Sequence, residues 1–114
     1  MMGVPSPVRI FLRRAATDMR KSFDGLSGLV KEEFGQDPLC GDWFLFLNRR
    51  RDRVKVLYWD RDGFALWAKR LERGRFTLPQ GDAAELDRSA LTLMLEGVKA
   101  RVISRSPRWK NENR

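Results

Sequence analysis

The segment "WFLFLNRRRDRVKVLYWDRDGFALWAKR", Trp43 to Arg70, decides the fold of this 114-residue chain. Its first five residues, Trp43 to Leu47, are an apolar run that is too short for a helix, so they predict a central strand. Val54 to Trp59 predicts a second strand, because apolar and polar residues alternate at its start. "DRDG", Asp60 to Gly63, has the composition of a tight turn. The segment therefore predicts antiparallel strands joined by short hairpins.

Two further strands are predicted after this turn. Phe64 to Leu71 reads as a third strand of the meander, although Phe64, Trp67 and Leu71 also fit one face of a helix. The turn signal "ERG" then precedes "RFTLP", Arg75 to Pro79, which predicts a short strand. The strand interpretation of Phe64 to Leu71 is favoured, and the helical one stays open.

Outside this segment the pattern predicts one more strand and two helices. Val8 to Arg13 is short and apolar and follows two prolines, which indicates an edge strand. A helix is predicted from an N-cap at Ser22 to about Gly35, with Arg20 and Lys21 just before its free backbone N–H groups. A second helix is predicted between a cap at Asp87 and a stop at Gly97. The helix faces are defined by Met19, Phe23, Leu26, Val30 and Phe34, and by Leu91, Leu95 and Val98.

These elements predict a single α+β domain over residues 1–105. It is an antiparallel β-meander of about four to five strands with two helices packed on it. Residues 106–114 are predicted to be a basic, flexible C-terminal tail.

Positive charge is concentrated in two parts of the chain. The net charge is +8, and residues 49–76 hold ten basic against four acidic residues, while residues 99–114 hold six against one. Residues 1–48 are neutral and residues 77–98 are acidic. A solvated surface without a partner can also be basic, but arginines clustered beside aromatic residues favour a polyanion, most often a nucleic acid.

The sequence lacks the residues that several kinds of catalytic and metal-binding site require. The chain has no histidine and a single cysteine, which removes the commonest general base and any multi-thiolate metal site. Asp60 and Asp62 could hold Mg²⁺, but the Asp-x-Asp-Gly context favours a turn. There is no glycine-rich phosphate loop. We therefore predict a protein that is not an enzyme and needs no metal or cofactor.

No apolar stretch approaches the roughly 18 residues of a membrane span, and the first residues lack the order of a signal peptide. A cytoplasmic protein with no membrane partner is predicted.

Binding is the chemistry that remains. Arg49, Arg50, Arg51 and Arg53 would stand at the tip of a hairpin whose strands are buried, and a planar guanidinium pairs two phosphate oxygens at once. The alternative is a solvated hairpin tip. Trp59 and Trp67 could stack on bases or pack in the core. The predicted DNA contacts are Arg20, Lys21, Arg49, Arg50, Arg51, Arg53, Lys55, Arg61, Lys69, Arg70, Arg73, Arg75, Arg101 and Arg105.

Three motifs carry a resemblance to a known family. "TDMRKSFDGLSGLV", "DRVKVLYWDRDGFALWAKRLERGRF" and "LTLMLEGV", in this order and spacing, closely resemble the small TnpB accessory protein of insertion-sequence-66 elements, over about residues 6–105. That protein is unrelated to the RNA-guided nuclease of the same name. The family signature falls on Asp18, Met19, Arg20, Lys21, Phe23, Asp24 and Gly25, and on Tyr58, Trp59, Asp60, Gly63, Lys69, Arg70, Leu71, Glu72, Gly74, Arg75 and Phe76.

The resemblance implies an accessory protein of transposition, encoded beside a separate transposase that cuts and joins DNA. It supplies no catalytic residues. Together with the charge pattern, it predicts a non-catalytic factor that binds DNA at the element ends through a basic hairpin surface and assists the transposase. Two alternatives stay open: a subunit that contacts the transposase and little DNA, or an RNA-binding module.

Overall fold

The computed structural model describes residues 7–105, and side-chain surroundings are described for residues 7–96. The predicted tail, residues 106–114, lies outside the described residues. The strands are β1 (Ile10–Leu12), β2 (Trp43–Leu47), β3 (Arg53–Asp60), β4 (Gly63–Arg70) and β5 (Glu85–Leu86), and the helices are α1 (Phe23–Leu29) and α2 (Arg88–Arg105). A π-helical segment, Val30–Phe34, extends α1, and a short 3-10 turn covers Pro38–Cys40.

The five strands form one sheet in the order β4-β3-β2-β1-β5. β2, β3 and β4 are the predicted antiparallel meander, with Leu45 opposite Val56 and Val56 opposite Trp67. β1 pairs in parallel with β2 and antiparallel with β5. The α+β class is confirmed, and so is the strand interpretation of β4. The helical alternative for that segment is wrong, because β4 pairs with β3 along its whole length.

Alternation along the strands divides the core into two layers, because successive side chains point to opposite faces of a sheet. On one face, Phe44, Phe46 and Leu57 pack against Leu26 and Val30 of the first helical region. The other layer has as its buried members Ile10, Leu12, Trp43, Leu45, Leu47, Val54, Val56, Phe76, Leu86, Leu91 and Met94. Both predicted helices therefore cover the sheet, one on each face.

The first strand is interior, and its prediction as an edge strand is wrong. All three residues of β1 are buried, and β1 lies between β2 and β5. A strand that is paired on both sides and covered on both faces has a continuous apolar sequence. A short edge strand after prolines can have the same sequence pattern, so the two cannot be distinguished by it. Pro7 lies before β1 and does not interrupt its pairing.

The predicted strand Arg75 to Pro79 is also wrong. Residues 71–79 are irregular, and the fifth strand of the sheet is Glu85–Leu86. The apolar signal in this segment comes from Phe76, whose side chain is 1% exposed and packs in the core from a loop. Hydrophobic anchoring of the loop produces the same sequence pattern as a short strand.

Helix starts agree with the sequence prediction better than helix ends. α1 begins after Ser22, with Asp24 in its first turn, but the Ser22 side chain makes no capping hydrogen bond. Gly35 ends the π-helical segment with φ 63°. Asp87 caps α2, since its Oδ1 accepts a 2.7 Å hydrogen bond from the backbone N–H of Ala90. Gly97 does not stop α2, which runs to Arg105. An interior glycine costs a helix only about 1 kcal/mol relative to alanine.

Among the described residues, no helix is both long enough and apolar enough to span a membrane.

Candidate nucleic-acid interface

The hairpin between β2 and β3 is shaped by one asparagine at its base. The side-chain Oδ1 of Asn48 accepts 3.0 Å hydrogen bonds from the backbone N–H groups of Asp52 and Arg53, and its Nδ2 donates to the Asp52 carboxylate at 2.7 Å. The backbone N–H of Arg51 also donates to the carbonyl of Asn48. Local side-chain bonds of this kind fix a turn. The arginine tip is therefore a defined loop rather than a loose end.

A second loop is fastened to this tip by two backbone hydrogen bonds. The N–H of Leu71 donates to the carbonyl of Asp52 at 2.7 Å, and the N–H of Phe76 donates to the carbonyl of Arg51 at 2.6 Å. Arg51 adopts a left-handed conformation, φ 60°. The connection brings Arg73 and Arg75, which lie between the two donors, next to the hairpin arginines.

A third segment reaches the same end of the sheet from before α1. The N–H of Thr17 donates to the carbonyl of Leu47 at 2.8 Å. The ammonium group of Lys55 donates 2.8 Å hydrogen bonds to the backbone carbonyls of Met19 and Lys21. Lys55 thus holds the segment that carries Arg20 and Lys21 against β3.

These three segments form what we call the basic end. It gathers eleven of the fourteen predicted DNA contacts. They are Arg20, Lys21, Arg49, Arg50, Arg51, Arg53, Lys55, Lys69, Arg70, Arg73 and Arg75. The same stretches contribute three carboxylates, Asp18, Asp52 and Glu72. A large excess of positive charge is therefore fixed at one end of the sheet.

Each of the three carboxylates of the basic end contacts an arginine. Arg20 binds Asp18, with Nη2 to Oδ2 at 2.7 Å, and Arg70 contacts Glu72 at 3.3 Å. Arg50 lies 3.9 Å from Asp52. Within residues 7–96, no carboxylate forms a salt bridge with Arg49, Arg51 or Arg53.

Hydrogen bonds lower the pKa of two of these carboxylates. The Arg20 side chain and the Arg20 backbone N–H hold the pKa of Asp18 at about 2. The amide of Asn48 lowers the pKa of Asp52, and the nearby charge of Arg50 acts in the same direction. The charged form of Asp18 is thus favoured by its pairing with the guanidinium of Arg20.

Like charges face each other across two strands of the basic end. Arg53 of β3 lies directly opposite Arg70 of β4, and their side chains share the α1 face of the sheet. Directly opposed like charges destabilise a sheet pair. An anion bound between them would relieve this repulsion.

Two surface grooves run along the basic end and share Met19 and Arg53 as lining residues. The larger, of about 490 Å³, also contacts Lys55, Ala68 and Arg70. The smaller, of about 410 Å³, lies beside Arg20, Arg49 and Arg50. No aromatic side chain lines either groove among the described residues. The grooves suit phosphate groups better than unstacked bases.

Three predicted cations do not join the basic end. Arg61 lies in the β3–β4 turn at the opposite end of β3, where it is 94% exposed and 3.9 Å from Asp60. Arg101 and Arg105 belong to the last part of α2, whose side chains lie outside the described residues.

The two tryptophans lie away from the arginine cluster. Trp59 packs edge-on against Phe64, with ring centroids 5.1 Å apart, near the β3–β4 turn. Trp67 is half-buried on the opposite face and packs against the core. Base stacking by these residues remains a prediction, and their described contacts are with protein.

Sequence reasoning missed the residues that organise the cluster. Asn48 and Asp52 shape the hairpin through their side-chain hydrogen bonds. An asparagine followed four residues later by an aspartate, between two apolar runs, was the available turn signal.

The acidic pair in the β3–β4 hairpin lies in a turn, as predicted. The backbone N–H of Asp62 donates to the carbonyl of Asp60. Within the described part of the chain, no group of three or more His, Cys, Asp or Glu side chains is placed to hold a metal ion.

The fold and the basic end define a class: a small, strongly basic α+β domain that presents cations from three chain segments at one end of a sheet. The chain belongs to the family described as IS66 Orf2 like protein, whose model matches residues 8–105. This family has an accessory role associated with transposition of IS66 elements, and it is not a family of known catalytic enzymes.

Two proteins of Sinorhizobium fredii are similar to this chain. Protein y4jC, described as uncharacterized, is 33% identical over 109 residues, which cover 94% of this chain and 93% of that protein. Protein y4hO, also described as uncharacterized, is 37% identical over 93 residues, covering 80% and 81%. No solved structure matches this chain.

Proposed function

We propose that this protein is a non-catalytic accessory factor of transposition that binds DNA at the element ends through the basic end and assists the separate transposase. The observation that carries the proposal is the convergence of three chain segments on one end of the sheet, joined by the hydrogen bonds of Asp52, Arg51 and Lys55. Because the fold already holds these cations together, binding a polyanion would require little further ordering of the chain and so little loss of conformational entropy.

The chemistry of the basic end favours contact with the phosphate backbone. Arg49, Arg50 and Arg53 are exposed on or beside the hydrogen-bonded hairpin. Arg53 lies opposite Arg70, and an anion bound between these two side chains would reduce their repulsion. Phosphate contacts position a protein on DNA without reading its sequence. Choice of the element ends would then rest mainly with the transposase, while this protein adds affinity.

The test is a salt titration of binding to four probes of equal length: element-end duplex, scrambled duplex, single-stranded DNA and RNA. We expect tight duplex binding at low salt, a steep loss of affinity with rising salt, and similar affinities for the two duplexes. Binding of none of the probes, with the protein folded and retained by the transposase in a pull-down, would instead support an interaction subunit. Clear preference for RNA would support the RNA-binding alternative.

A further inference from the structure

The outer edge of the sheet carries a second feature, separate from the arginine hairpin. β4 is the last strand on its side and, among the described residues, pairs only with β3. It is eight residues long, contains no proline, and has charge only at its C-terminal end, in Lys69 and Arg70. Natural proteins usually protect such edges with prolines, charges or bulges. The opposite edge, β5, is only two residues long.

The hydrogen-bond parity shows which residues of β4 face outward. The N–H of Leu71 donates to the carbonyl of Asp52, and Asp60 lies opposite Gly63 where the two-residue hairpin closes. Because hydrogen-bonded and non-hydrogen-bonded pairs alternate along antiparallel strands, the odd-numbered residues of β4 form the hydrogen bonds to β3. The even-numbered residues direct their N–H and C=O groups away from β3. They are Phe64, Leu66, Ala68 and Arg70.

We propose that β4 is a self-association edge, at which two copies of this protein pair antiparallel and form one ten-stranded sheet. The even-numbered residues of one copy, whose backbone groups point away from β3, must form hydrogen-bonded pairs with residues of the other copy. Only registers that place even-numbered residues opposite even-numbered residues are therefore allowed. Two of these registers overlap β4 over seven residues: one centred on Leu66 and one centred on Trp67.

Side-chain chemistry selects the register centred on Leu66. Leu66 then meets its own copy on the axis, Trp67 lies opposite the small Ala65, and Phe64 lies opposite Ala68. The turn of each copy, which holds Asp60 and Asp62, comes beside Lys69 and Arg70 of the other. The register centred on Trp67 would instead place Asp62 near Glu72, which is a repulsive contact.

The partial burial of the apolar side chains of β4 also supports pairing with a second copy of this protein. Phe64, Leu66 and Trp67 are half-buried. Pairing with a copy would bury more of their surface and satisfy the hydrogen-bonding groups of the open edge. Because the pairing is self-complementary, it closes as a two-fold dimer rather than continuing into a fibre. This inference does not depend on the proposed DNA binding.

Cysteine cross-linking tests the register. The chain has one cysteine, Cys40, which is exposed, so both probes use a Cys40→Ser background. In an antiparallel hydrogen-bonded pair the Cα atoms lie about 5.5 Å apart, which suits a disulfide. Leu66→Cys should form a covalent dimer readily under mild oxidation. The matched control, Leu93→Cys, is 68% exposed on α2 and should not.

Sedimentation velocity supplies the second measurement, on the full chain over a range of concentrations. We expect a concentration-dependent dimer. Asp62→Lys and Arg70→Glu should each raise the dimer dissociation constant about tenfold, because the contact occurs twice, and the double variant should return most of the affinity. A monomer at every concentration, or cross-linking of Leu66→Cys no faster than Leu93→Cys, would overturn the proposal, as would a dimer that neither charge reversal weakens.

Discussion

The backbone N–H of Phe76 donates a 2.6 Å hydrogen bond to the carbonyl of Arg51. Phe76 is buried in the core, whereas Arg51 belongs to the hairpin tip, so the bond ties a core anchor to a surface loop. The N–H of Thr77 also donates to the carbonyl of Met94 on α2. The loop that carries Arg73 and Arg75 is therefore held between the second helix and the arginine hairpin, and its cations belong to the same surface.

Replacement of the hairpin arginines should reduce the salt dependence of DNA binding. Removing one phosphate contact lowers the slope of log affinity against log salt by roughly 0.9 on duplex DNA. Arg49→Ala, Arg50→Ala and Arg51→Ala together should lower the slope by about two to three, measured by fluorescence anisotropy. For Arg49→Ala and Arg50→Ala the free energy of unfolding should change by less than about 0.5 kcal/mol, because both side chains are exposed, whereas Arg51 is half-buried and its replacement should cost more.

Arg61 provides the control for that experiment. Its side chain is 94% exposed, close to the 82% of Arg50, but it lies at the other end of β3. Arg61→Ala should leave the slope unchanged. An equal decrease of slope in this variant would show that net charge, and not the basic end, governs binding.

Release of Arg20 from its carboxylate should strengthen DNA binding. Asp18 holds the guanidinium of Arg20 through a 2.7 Å contact. Asp18→Asn removes the competing charge, so the salt slope should increase by about one phosphate contact, or roughly 0.9. Asp60→Asn makes the same charge change at the far end of the sheet and should have a clearly smaller effect. Equal effects of the two variants would contradict a local role for Arg20.

The Asp18–Arg20 pair also predicts a pH dependence of stability. The pKa of Asp18 is lowered from its ordinary value of 3.8 to about 2 in the folded protein. A lowered folded-state pKa contributes stability above the unfolded pKa, and this contribution disappears as the pH falls. The wild type should therefore be more stable than Asp18→Asn at pH 5 to 7. Chemical denaturation should show the difference vanish as the pH falls from about 4 to about 2. A difference that is constant over this range would exclude the pair as its cause.

Lys55 should contribute mainly to stability. Its two hydrogen bonds to the carbonyls of Met19 and Lys21 hold the segment before α1. Lys55→Met keeps the aliphatic stem but leaves both carbonyls without this donor, which should cost about 1 to 2 kcal/mol of unfolding free energy. Lys69→Met, an exposed lysine on the neighbouring strand, is the matched control and should be close to neutral. Thermal unfolding monitored by circular dichroism measures both.

Local sequence patterns determined much of this fold. The predicted strand Trp43–Leu47 has its observed bounds, and β3 and β4 agree with their predictions to within one residue at each end. The start of α2 also follows from its cap at Asp87, and α1 begins after Ser22 as predicted, although the Ser22 side chain makes no capping hydrogen bond. These features depend on period, turn composition and capping, which act over a few neighbouring residues.

Tertiary structure decided what local patterns cannot encode. Parallel pairing of β1 with β2 joins residues more than thirty positions apart, and burial on both sides made β1 an interior strand instead of an edge. Phe76 gave a strand-like signal because a core anchor in a loop is also apolar.

The same distinction applies to the basic residues. Their number and clustering are properties of the sequence, but Arg53 and Arg61 lie at opposite ends of β3 because a strand advances about 3.3 Å per residue. Hydrogen bonds from Lys55, Leu71 and Phe76 join the other segments to the hairpin. Sequence alone determined that this protein carries concentrated positive charge, whereas long-range backbone contacts decided which of those charges form one surface.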